Sequence, residues 1–158
     1  MMRARRIARG THFGRTVDAT EQLLAIEAIK QTKARYFRFM DTKDRDGLAS
    51  VFTREAVLDH RAAEMADLVI GNKAIADFIT DALVGVVTVH HGHMAEVEIT
   101  SRSTATAIFA MEDHLWWGEG GPMTTMHGYG HYHENYELED GEWRISLNRL
   151  TRLRVDAS

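Results

Sequence analysis

The spacing of apolar residues changes its period about halfway along the chain. In the first half, from Asp18 to Met40, apolar residues recur at helical intervals and are interrupted by Lys33. Asp18 and Glu21 have the spacing of a capping box, with Asp in the place of the usual Ser or Thr. The pattern predicts one long amphipathic helix over residues 19–40. Its apolar positions are Leu23, Ile26, Ile29, Tyr36 or Phe37, and Met40.

Shorter elements follow this helix. Residues 44–53 predict a second, short helix, and residues 56–60 and 68–71 predict two short strands around a turn. A third helix is predicted to start at Asn72, a residue type that is favoured at helix N-termini. One side of this third helix carries Ile75, Phe78, Ile79 and Ala82.

After Gly85 the pattern becomes that of strands. The Asp140-Gly141 pair lies between two alternating runs, which predicts a tight β-hairpin. Helices followed by a meander of strands indicate an α+β fold. We predict a cone-shaped domain over residues 18–158, in which a curved antiparallel sheet carries about three N-terminal helices on its concave face around an interior pocket. The four predicted long strands are 86–100, 105–117, 126–138 and 143–155.

Composition excludes several classes of function. The 158 residues carry a formal net charge of -4, which gives no reason to expect nucleic acid or an anionic membrane as a partner. The absence of cysteine excludes disulfides and thiolate chemistry. No apolar run reaches the roughly 18 residues of a membrane span. Residues 1–17 are rich in arginine and predict a disordered basic arm. We therefore expect a soluble, cytoplasmic domain.

Nine histidines raise the question of a metal site. His131 and His133 alternate along a predicted strand, so they share a face and are the pair best placed to bind one ion. No sharper pattern of histidines and carboxylates accompanies them. We therefore predict no metal, and we expect most of these histidines to face solvent or to form hydrogen bonds within the sheet.

His90 differs because it follows the apolar run Val86–Val89 at the start of a predicted pocket strand. A neutral imidazole in an apolar pocket is suited to act as a general base near pH 7 when a carboxylate holds its tautomer. Asp41, at the end of the first helix, is the candidate for that carboxylate. The same pair could instead be a buried hydrogen bond that only ties helix to sheet, and the sequence leaves both interpretations open.

Three further residues complete the candidate site. Asp113 shares a strand face with Met111 and Leu115, and an acid on an apolar face is costly unless it is paired or functional. Arg152 would supply a fixed positive charge, but strand alternation turns it away from the interior unless the last strand bulges or twists late. Tyr36 and Asp41 lie about 140° apart around an ideal helix, so they converge only if the helix ends or bends near Met40.

Four segments of the chain carry a family resemblance, which extends from about residue 26 to residue 155. On them the chain resembles the SnoaL-like branch of the nuclear transport factor 2-like superfamily. Within that branch it is most similar to the bile acid 7α-dehydratases, and it also resembles the scytalone dehydratases and hexachlorocyclohexane dehydrochlorinases. The segments are Arg-Tyr-Phe-Arg-Phe-Met-Asp at 35–41, Val-His-His-Gly-His at 89–93, Met-Glu-Asp-His-Leu at 111–115, and residues 136–143.

The resemblance implies an enzyme and its catalytic groups. A lyase of this kind would eliminate water from a hydroxylated cyclic or steroid-like ketone by Asp–His general-base chemistry in an apolar pocket, without a cofactor. The alternatives are a ketosteroid-type isomerase and a non-catalytic module that binds a small apolar ligand. The implied catalytic residues are Tyr36, Asp41, His90, Asp113 and Arg152.

The resemblance also implies a homotrimer or homodimer. Aromatic and histidine side chains at strand positions that we take to be outward suggest the surface through which copies would assemble, because aromatics are enriched in interface cores. These side chains are His114, Trp116, Tyr132 and Tyr136.

Overall fold

A computed structural model describes residues 18–63 and 67–158. The predicted basic arm over residues 1–17 lies outside the described residues. Three α-helices and one turn of 3-10 helix are present in the described part. They are α1 (Ala19–Thr42), α2 (Arg45–Ser50), the 3-10 turn Arg61–Ala63, and α3 (Asn72–Ala82).

Helix α1 begins and ends with recognisable caps. Asp18 and Glu21 form the predicted capping box, in which the Asp18 backbone N–H donates to Glu21 Oε2 at 3.3 Å. At the other end Lys43 takes the left-handed conformation, with φ of 59°, and its N–H points back to the carbonyl groups of Phe39 and Met40. The long predicted helix is therefore confirmed, and it ends two residues later than expected.

Six strands form one curved, unclosed sheet in the order β2-β1-β6-β5-β4-β3. Every neighbouring pair is antiparallel except β1 and β6, which run parallel. The sheet is thus mixed, because the four-strand meander brings β6 back beside β1 in the same direction. The strands are β1 (Phe52–Asp59), β2 (Val69–Ile70), β3 (Val86–Ile99), β4 (Thr104–Trp117), β5 (Thr125–Glu139) and β6 (Glu142–Ala157).

The β5–β6 hairpin has the predicted turn. Asp140 and Gly141 both have positive φ, 54° and 83°, as a two-residue type I′ turn requires. The β5–β6 pairing that follows continues along both strands to Met126 and Ala157. This hairpin places β6 in the centre of the sheet, where its inward side chains reach the interior of the cone.

The core lies between the helices and the concave face of the sheet, which confirms the α+β, cone-shaped fold. Its fully buried side chains come from both layers, so neither layer buries its apolar face without the other. In the described ranges, no helix combines the length and the apolar character that a bilayer span requires. The largest buried apolar side chains include Ile29, Leu48, Phe52, Leu58, Ile75, Ile145 and Leu150.

A bulge in β6 decides which of its side chains face inward. The pairing with β5 shifts between Tyr136↔Ile145 and Asn135↔Leu147, which leaves Ser146 as an extra residue. Ile145 faces the core before the bulge, and Asn148 is buried after it. Odd-numbered side chains therefore face inward before the bulge, and even-numbered side chains face inward after it. Arg152 lies on the same inward face as Asn148. Arg152 does reach the interior, but through an early bulge rather than the late one that the sequence led us to expect.

The assignment of Tyr132 and Tyr136 to the outer face is wrong. Both side chains are buried against the helices, because β5 turns its even-numbered residues inward. Trp116 remains at the outer surface with 41% of its area exposed, and His114 is partly exposed. Two of the four side chains that suggested an assembly surface are thus part of the core.

Candidate active site

Four of the five predicted site residues line one small interior cavity. The cavity lies between α3 and the concave face of the sheet and has a volume of about 80 Å³. Its wall is mostly apolar, with a few polar side chains directed into it. The polar lining residues are Tyr36, His60, His90, Asp113, Tyr132 and Arg152.

His90 forms part of the cavity wall and is held there by Asp41. The His90 ring Nδ1 lies 2.6 Å from Asp41 Oδ1, and the His90 backbone N–H donates to Asp41 Oδ2 at 3.0 Å. A carboxylate can only accept, so Nδ1 carries the proton in this bond. The lone pair of a neutral His90 is then on Nε2, the nitrogen away from Asp41.

Asp41 lies behind His90 and outside the inner cavity. Burial raises the pKa of Asp41, but hydrogen bonds from the ring and backbone of His90 and from Thr88 outweigh that effect and lower the pKa below its usual value. The Thr88 hydroxyl donates to Asp41 Oδ1 at 2.9 Å and accepts from Lys43 Nζ at 2.7 Å. Asp41 therefore remains a carboxylate that orients His90.

Tyr36 and Asp41 do not converge on one point. Tyr36 faces the inner cavity, whereas Asp41 faces a groove of about 540 Å³ on the other side of His90, between α1 and β3. His90 lines both spaces and lies between the two residues. The bend near Met40 that the sequence seemed to require is thus unnecessary, because the helix continues to Thr42.

Asp113 and Arg152 form a buried ion pair on the cavity wall. The guanidinium donates to both carboxylate oxygens, at 3.0 Å from Nη1 to Oδ1 and 2.7 Å from Nη2 to Oδ2. This bidentate, charge-assisted geometry is the strongest kind of side-chain hydrogen bond. His90 Nε2 lies 4.0 Å from Asp113 Oδ2. Asp113 is therefore an acceptor beside Nε2, and it could donate a proton only after leaving Arg152.

Two phenols form another part of the cavity wall. The rings of Tyr36 and Tyr132 lie edge to face with centroids 5.9 Å apart, and both side chains are buried. Burial raises the pKa of both hydroxyl groups above the usual value, so both keep their protons. A hydrogen bond links the two hydroxyls on the cavity wall. We did not predict Tyr132, because the sequence analysis placed it on the outer face.

A buried polar network lies directly behind these phenols. Lys33 Nζ lies 2.7 Å from Glu134 Oε1 and 3.5 Å from the centre of the Tyr132 ring. Asn148 and Tyr136 also donate to Glu134, each at 2.6 Å. Burial lowers the pKa of Lys33 to about 8, although the charge of Glu134 opposes this. The interruption of the helical stripe by Lys33 was the sequence signal for this network.

His60 connects this network to the cavity. Its Nε2 lies 2.8 Å from Asn148 Oδ1, so Nε2–H donates a hydrogen bond to the amide oxygen. Burial lowers the pKa of His60 to about 4, and the charges of Lys33 and Arg152 act in the same direction. His60 is therefore neutral at pH 7 and adds a second imidazole to the cavity wall.

The buried, neutral His60 makes the folded protein sensitive to acid. Between pH 6.5 and about 4 the unfolded chain binds a proton at His60 that the folded chain does not, so stability falls as the pH falls. A pKa change from 6.5 to about 4 corresponds to roughly 3 kcal/mol by pH 4. Urea unfolding at pH 7 and pH 4 measures how far the free energy of unfolding falls on acidification. We expect this fall to be smaller in His60→Gln than in the parent protein, by about 3 kcal/mol.

His133→Gln is the matched control for this measurement, since His133 is only half-buried on the opposite face of the sheet. This control variant should lose as much stability on acidification as the parent protein. If His60→Gln and the parent protein respond equally to pH, His60 is not the buried, neutral group described above.

Gly128 leaves the space that the Asp113–Arg152 pair occupies. It faces Asp113 across the β4–β5 ladder, and a Cβ at this position would overlap both Arg152 Nη1 and Asp113 Oδ1. We expect Gly128→Ala to displace the pair and to lower any turnover by about 10²-fold, the typical cost of a misplacement of about 1 Å. Gly118→Ala is the control, because nothing lies within 4 Å of its Cβ position. Equal activity of the two variants would contradict the role of the pair.

Comparison with known proteins places this site in a recognised fold. A family model described as a SnoaL-like domain matches residues 21–149. The match includes four of the five predicted site residues, and Arg152 lies just beyond it.

Several solved structures share the architecture at low sequence identity. A protein assigned as a scytalone dehydratase, from Novosphingobium aromaticivorans, has a TM-score of 0.79 at 17% identity, over 89% of this chain and 92% of that chain. A hexachlorocyclohexane dehydrochlorinase from Novosphingobium barchaimii LL02 has a TM-score of 0.78 at 17% identity, over 89% and 94%. A protein of unknown function from Mycobacterium tuberculosis has a TM-score of 0.74 at 24% identity, over 89% and 79%. These similarities establish the fold alone.

Proposed function

The chain belongs to the SnoaL-like domain family, and from this premise we propose that it is a cofactor-independent lyase that eliminates water from a hydroxylated cyclic ketone. The single observation that carries the proposal is the placement of His90. Asp41 binds its Nδ1 at 2.6 Å, and the ring lines an apolar cavity. A candidate base, its orienting carboxylate and a mostly apolar cavity are thus together, an arrangement suited to general-base catalysis.

The proposed reaction uses His90 twice. Nε2 takes a proton from the carbon next to the carbonyl, and the electron pair moves onto the carbonyl oxygen to give an enolate. When the enolate collapses, the bond from the β-carbon to the hydroxyl group breaks, and the imidazolium returns its proton to the departing hydroxide. The products are an α,β-unsaturated ketone and water, and His90 ends as it began. Asp41 stabilises the imidazolium between the two transfers.

Two kinds of group on the cavity wall would stabilise the enolate oxygen. The Tyr36 phenol keeps its proton because burial raises its pKa, so it can donate a hydrogen bond to the developing oxyanion. Arg152 adds a fixed positive charge on the same wall. The Asp113 carboxylate, 4.0 Å from His90 Nε2, favours the imidazolium after proton transfer.

The size of the cavity favours a compact substrate. Its volume of about 80 Å³ is smaller than the roughly 150 Å³ of an engineered cavity that binds benzene, and well below the several hundred Å³ of most ligand sites. Phe78 lines the cavity and is 38% exposed, so the cavity opens to solvent beside α3. A small ring would need a modest outward movement of α3, whereas a steroid would need a much larger one.

A turnover screen with substrates of graded size tests the proposal. The panel contains 3-hydroxycyclohexanone, larger β-hydroxy cyclic ketones, and 3-oxo-Δ4 steroids that carry a 7α-hydroxyl group, free and as thioesters. Formation of the conjugated product is followed by its absorbance. We expect product from the compact ketones, in the parent protein and not in His90→Ala.

Silence across the whole panel would contradict the proposal, provided that an apolar ligand binds the cavity tightly. A parent protein and a His90→Ala variant that bind such a ligand equally well, with no turnover in either, would indicate a binding module with the same fold.

A further inference from the structure

A cluster of histidines surrounds one carboxylate on the outer face of the sheet, opposite the cavity. The strands β3, β4 and β5 bring it together, because His91 pairs with Glu112 and His114 pairs with His127 in directly opposite positions of the ladders. We call Glu112, His114 and His127 the outer histidine cluster. His93 lies two residues beyond His91 on the same face of β3.

The ligand atoms of the cluster are close together and point toward one another. His127 Nε2 lies 3.4 Å from Glu112 Oε2, and His114 Nε2 lies 3.9 Å from the same oxygen. One donor atom from each of the three residues lies within 4.8 Å of the others. Two more imidazoles approach the second carboxylate oxygen, at 3.6 Å from His91 Nδ1 and 3.5 Å from His93 Nε2.

Two of the three separations within the cluster are close to those that a small transition-metal ion requires. Zinc binds imidazole nitrogen at about 2.0–2.1 Å and carboxylate oxygen at about 2.0–2.2 Å, so tetrahedral ligands lie about 3.3–3.4 Å apart. The distance from His127 to Glu112 already has this value, and that from His114 needs to shorten by only about half an ångström. All three side chains are about one-third exposed, so the side-chain movement is small and an ion can enter from solvent.

The surroundings of the cluster also fit a metal site. The Tyr129 hydroxyl lies 3.0 Å from His127 Nδ1, and His127 Nε2 faces Glu112. When an ion takes the place of the Nε2 proton, Nδ1–H can donate to the Tyr129 hydroxyl and the Nε2 lone pair is directed at the ion. Such a bond to the other ring nitrogen is the usual outer-shell partner of a metal-binding histidine. Glu112 Oε2 lies 3.4 Å from His127 Nε2, so one carboxylate oxygen already faces the nitrogen that would bind the ion.

We propose that the outer histidine cluster binds one divalent transition-metal ion of the zinc class through Glu112, His114 and His127, with solvent in the fourth position. Two imidazoles and one carboxylate with an open position suit zinc and its neighbours, whereas calcium and magnesium require more oxygen ligands. From the sequence alone, His131 and His133 were the pair best placed to bind a metal, and we predicted none. The structure brings together a different set of residues: Glu112 and His114 on β4, and His127 opposite His114 on β5.

Titration calorimetry with zinc chloride tests the proposal on tag-free full-length protein that has been treated with a chelator. We expect one zinc ion per chain with a micromolar or tighter Kd. Glu112→Gln and His127→Ala should each weaken binding at least tenfold. Calcium chloride should give no measurable binding. The parent protein should also unfold at a higher temperature with zinc than without it, because the ion binds the folded chain only.

His133→Ala is the matched control, because His133 lies on the same face of β5 but pairs opposite Ile108, six residues along the strand from His127. This variant should bind zinc like the parent protein. No saturable binding, a stoichiometry of one ion per two chains, or equal affinity in Glu112→Gln and the parent protein would each overturn the proposal. None of these outcomes depends on turnover, so the metal site and the proposed lyase activity fail separately.

Discussion

Replacing His90 by glutamine is expected to remove turnover while leaving the protein folded. A positioned general base contributes about 10²–10⁴-fold to a rate, and His90 is asked to move the proton in both directions, so we expect kcat to fall by at least about 10³-fold. A glutamine amide can still donate a hydrogen bond to Asp41, which keeps α1 tied to β3. Steady-state kinetics on the compact β-hydroxy ketones, with circular dichroism as a check on folding, measures the effect.

Two further variants test whether the loss of turnover is specific to the His90–Asp41 pair. Asp41→Asn changes the partner of His90, and His133→Gln is the control. Asp41→Asn keeps the size of the side chain but removes the charge that stabilises the imidazolium, so kcat should fall while binding of an apolar ligand is retained. His133→Gln changes a histidine on the other face of the sheet and should leave kcat unchanged. A His90→Gln variant that keeps more than one-tenth of the parent kcat would reduce His90 to a structural tie.

Replacing Lys33 by methionine is expected to produce the largest loss of stability. Lys33 and Glu134 are fully buried, and Glu134 has no other positive partner among the ion pairs of the described residues. Removal of one member of a buried pair leaves an uncompensated charge and typically costs about 3–5 kcal/mol. For a domain of this size that corresponds to a fall in Tm of about 6–20 °C. Urea unfolding at pH 7 measures the loss.

Lys30→Met is the control for that prediction. Lys30 lies one turn earlier on α1, and its ion pair with Glu27 is half-exposed. Exposed pairs contribute less than about 1 kcal/mol, so this variant should be nearly as stable as the parent protein. If Lys33→Met also loses less than about 1 kcal/mol, the Lys33–Glu134 pair does not hold α1 against the sheet.

The parts of the fold that follow from local pattern were predictable. Helix α1 and the four long strands extend over many periods, so the apolar spacing identifies them, and the Asp140-Gly141 turn has a composition that few other structures use. The parallel pairing of β1 with β6 was not predictable from these signals. The direction of β6 relative to β1 depends on the path of all four strands from β3 to β6. No local sequence pattern predicts that direction.

The inward or outward direction of single strand positions was the weaker part of the prediction. Strand β5 alternates histidines with Tyr132, Glu134 and Tyr136, so both of its faces contain polar and aromatic groups, and alternation alone does not say which face is buried. In β6 the extra residue at Ser146 reverses the alternation, and a bulge carries no reliable sequence signal. One such residue moved Arg152 from the outer face to the cavity.

The Lys33–Glu134 pair was missed for a related reason. Its members are 101 residues apart. Lys33 interrupts an apolar helical stripe, whereas Glu134 lies on a strand whose two faces both carry polar groups. Only the fold shows that Lys33 and Glu134 face each other, with Asn148 and Tyr136 completing the hydrogen bonds of the carboxylate. The His90–Asp41 pair was easier to anticipate, because both positions lie at predicted element ends.

Exchange of hydrogen for deuterium on a simple ketone tests the central claim most directly, because it isolates proton abstraction from the loss of water. Cyclohexanone has no hydroxyl group to expel, so a base in the cavity can only remove and return protons next to its carbonyl. Incubation in D₂O, followed by NMR, should show enzyme-dependent exchange at these positions in the parent protein. His90→Gln should show only the background rate. Exchange that is equal in the two proteins, or absent while the ketone saturates the cavity, would contradict the assignment of His90 as a base.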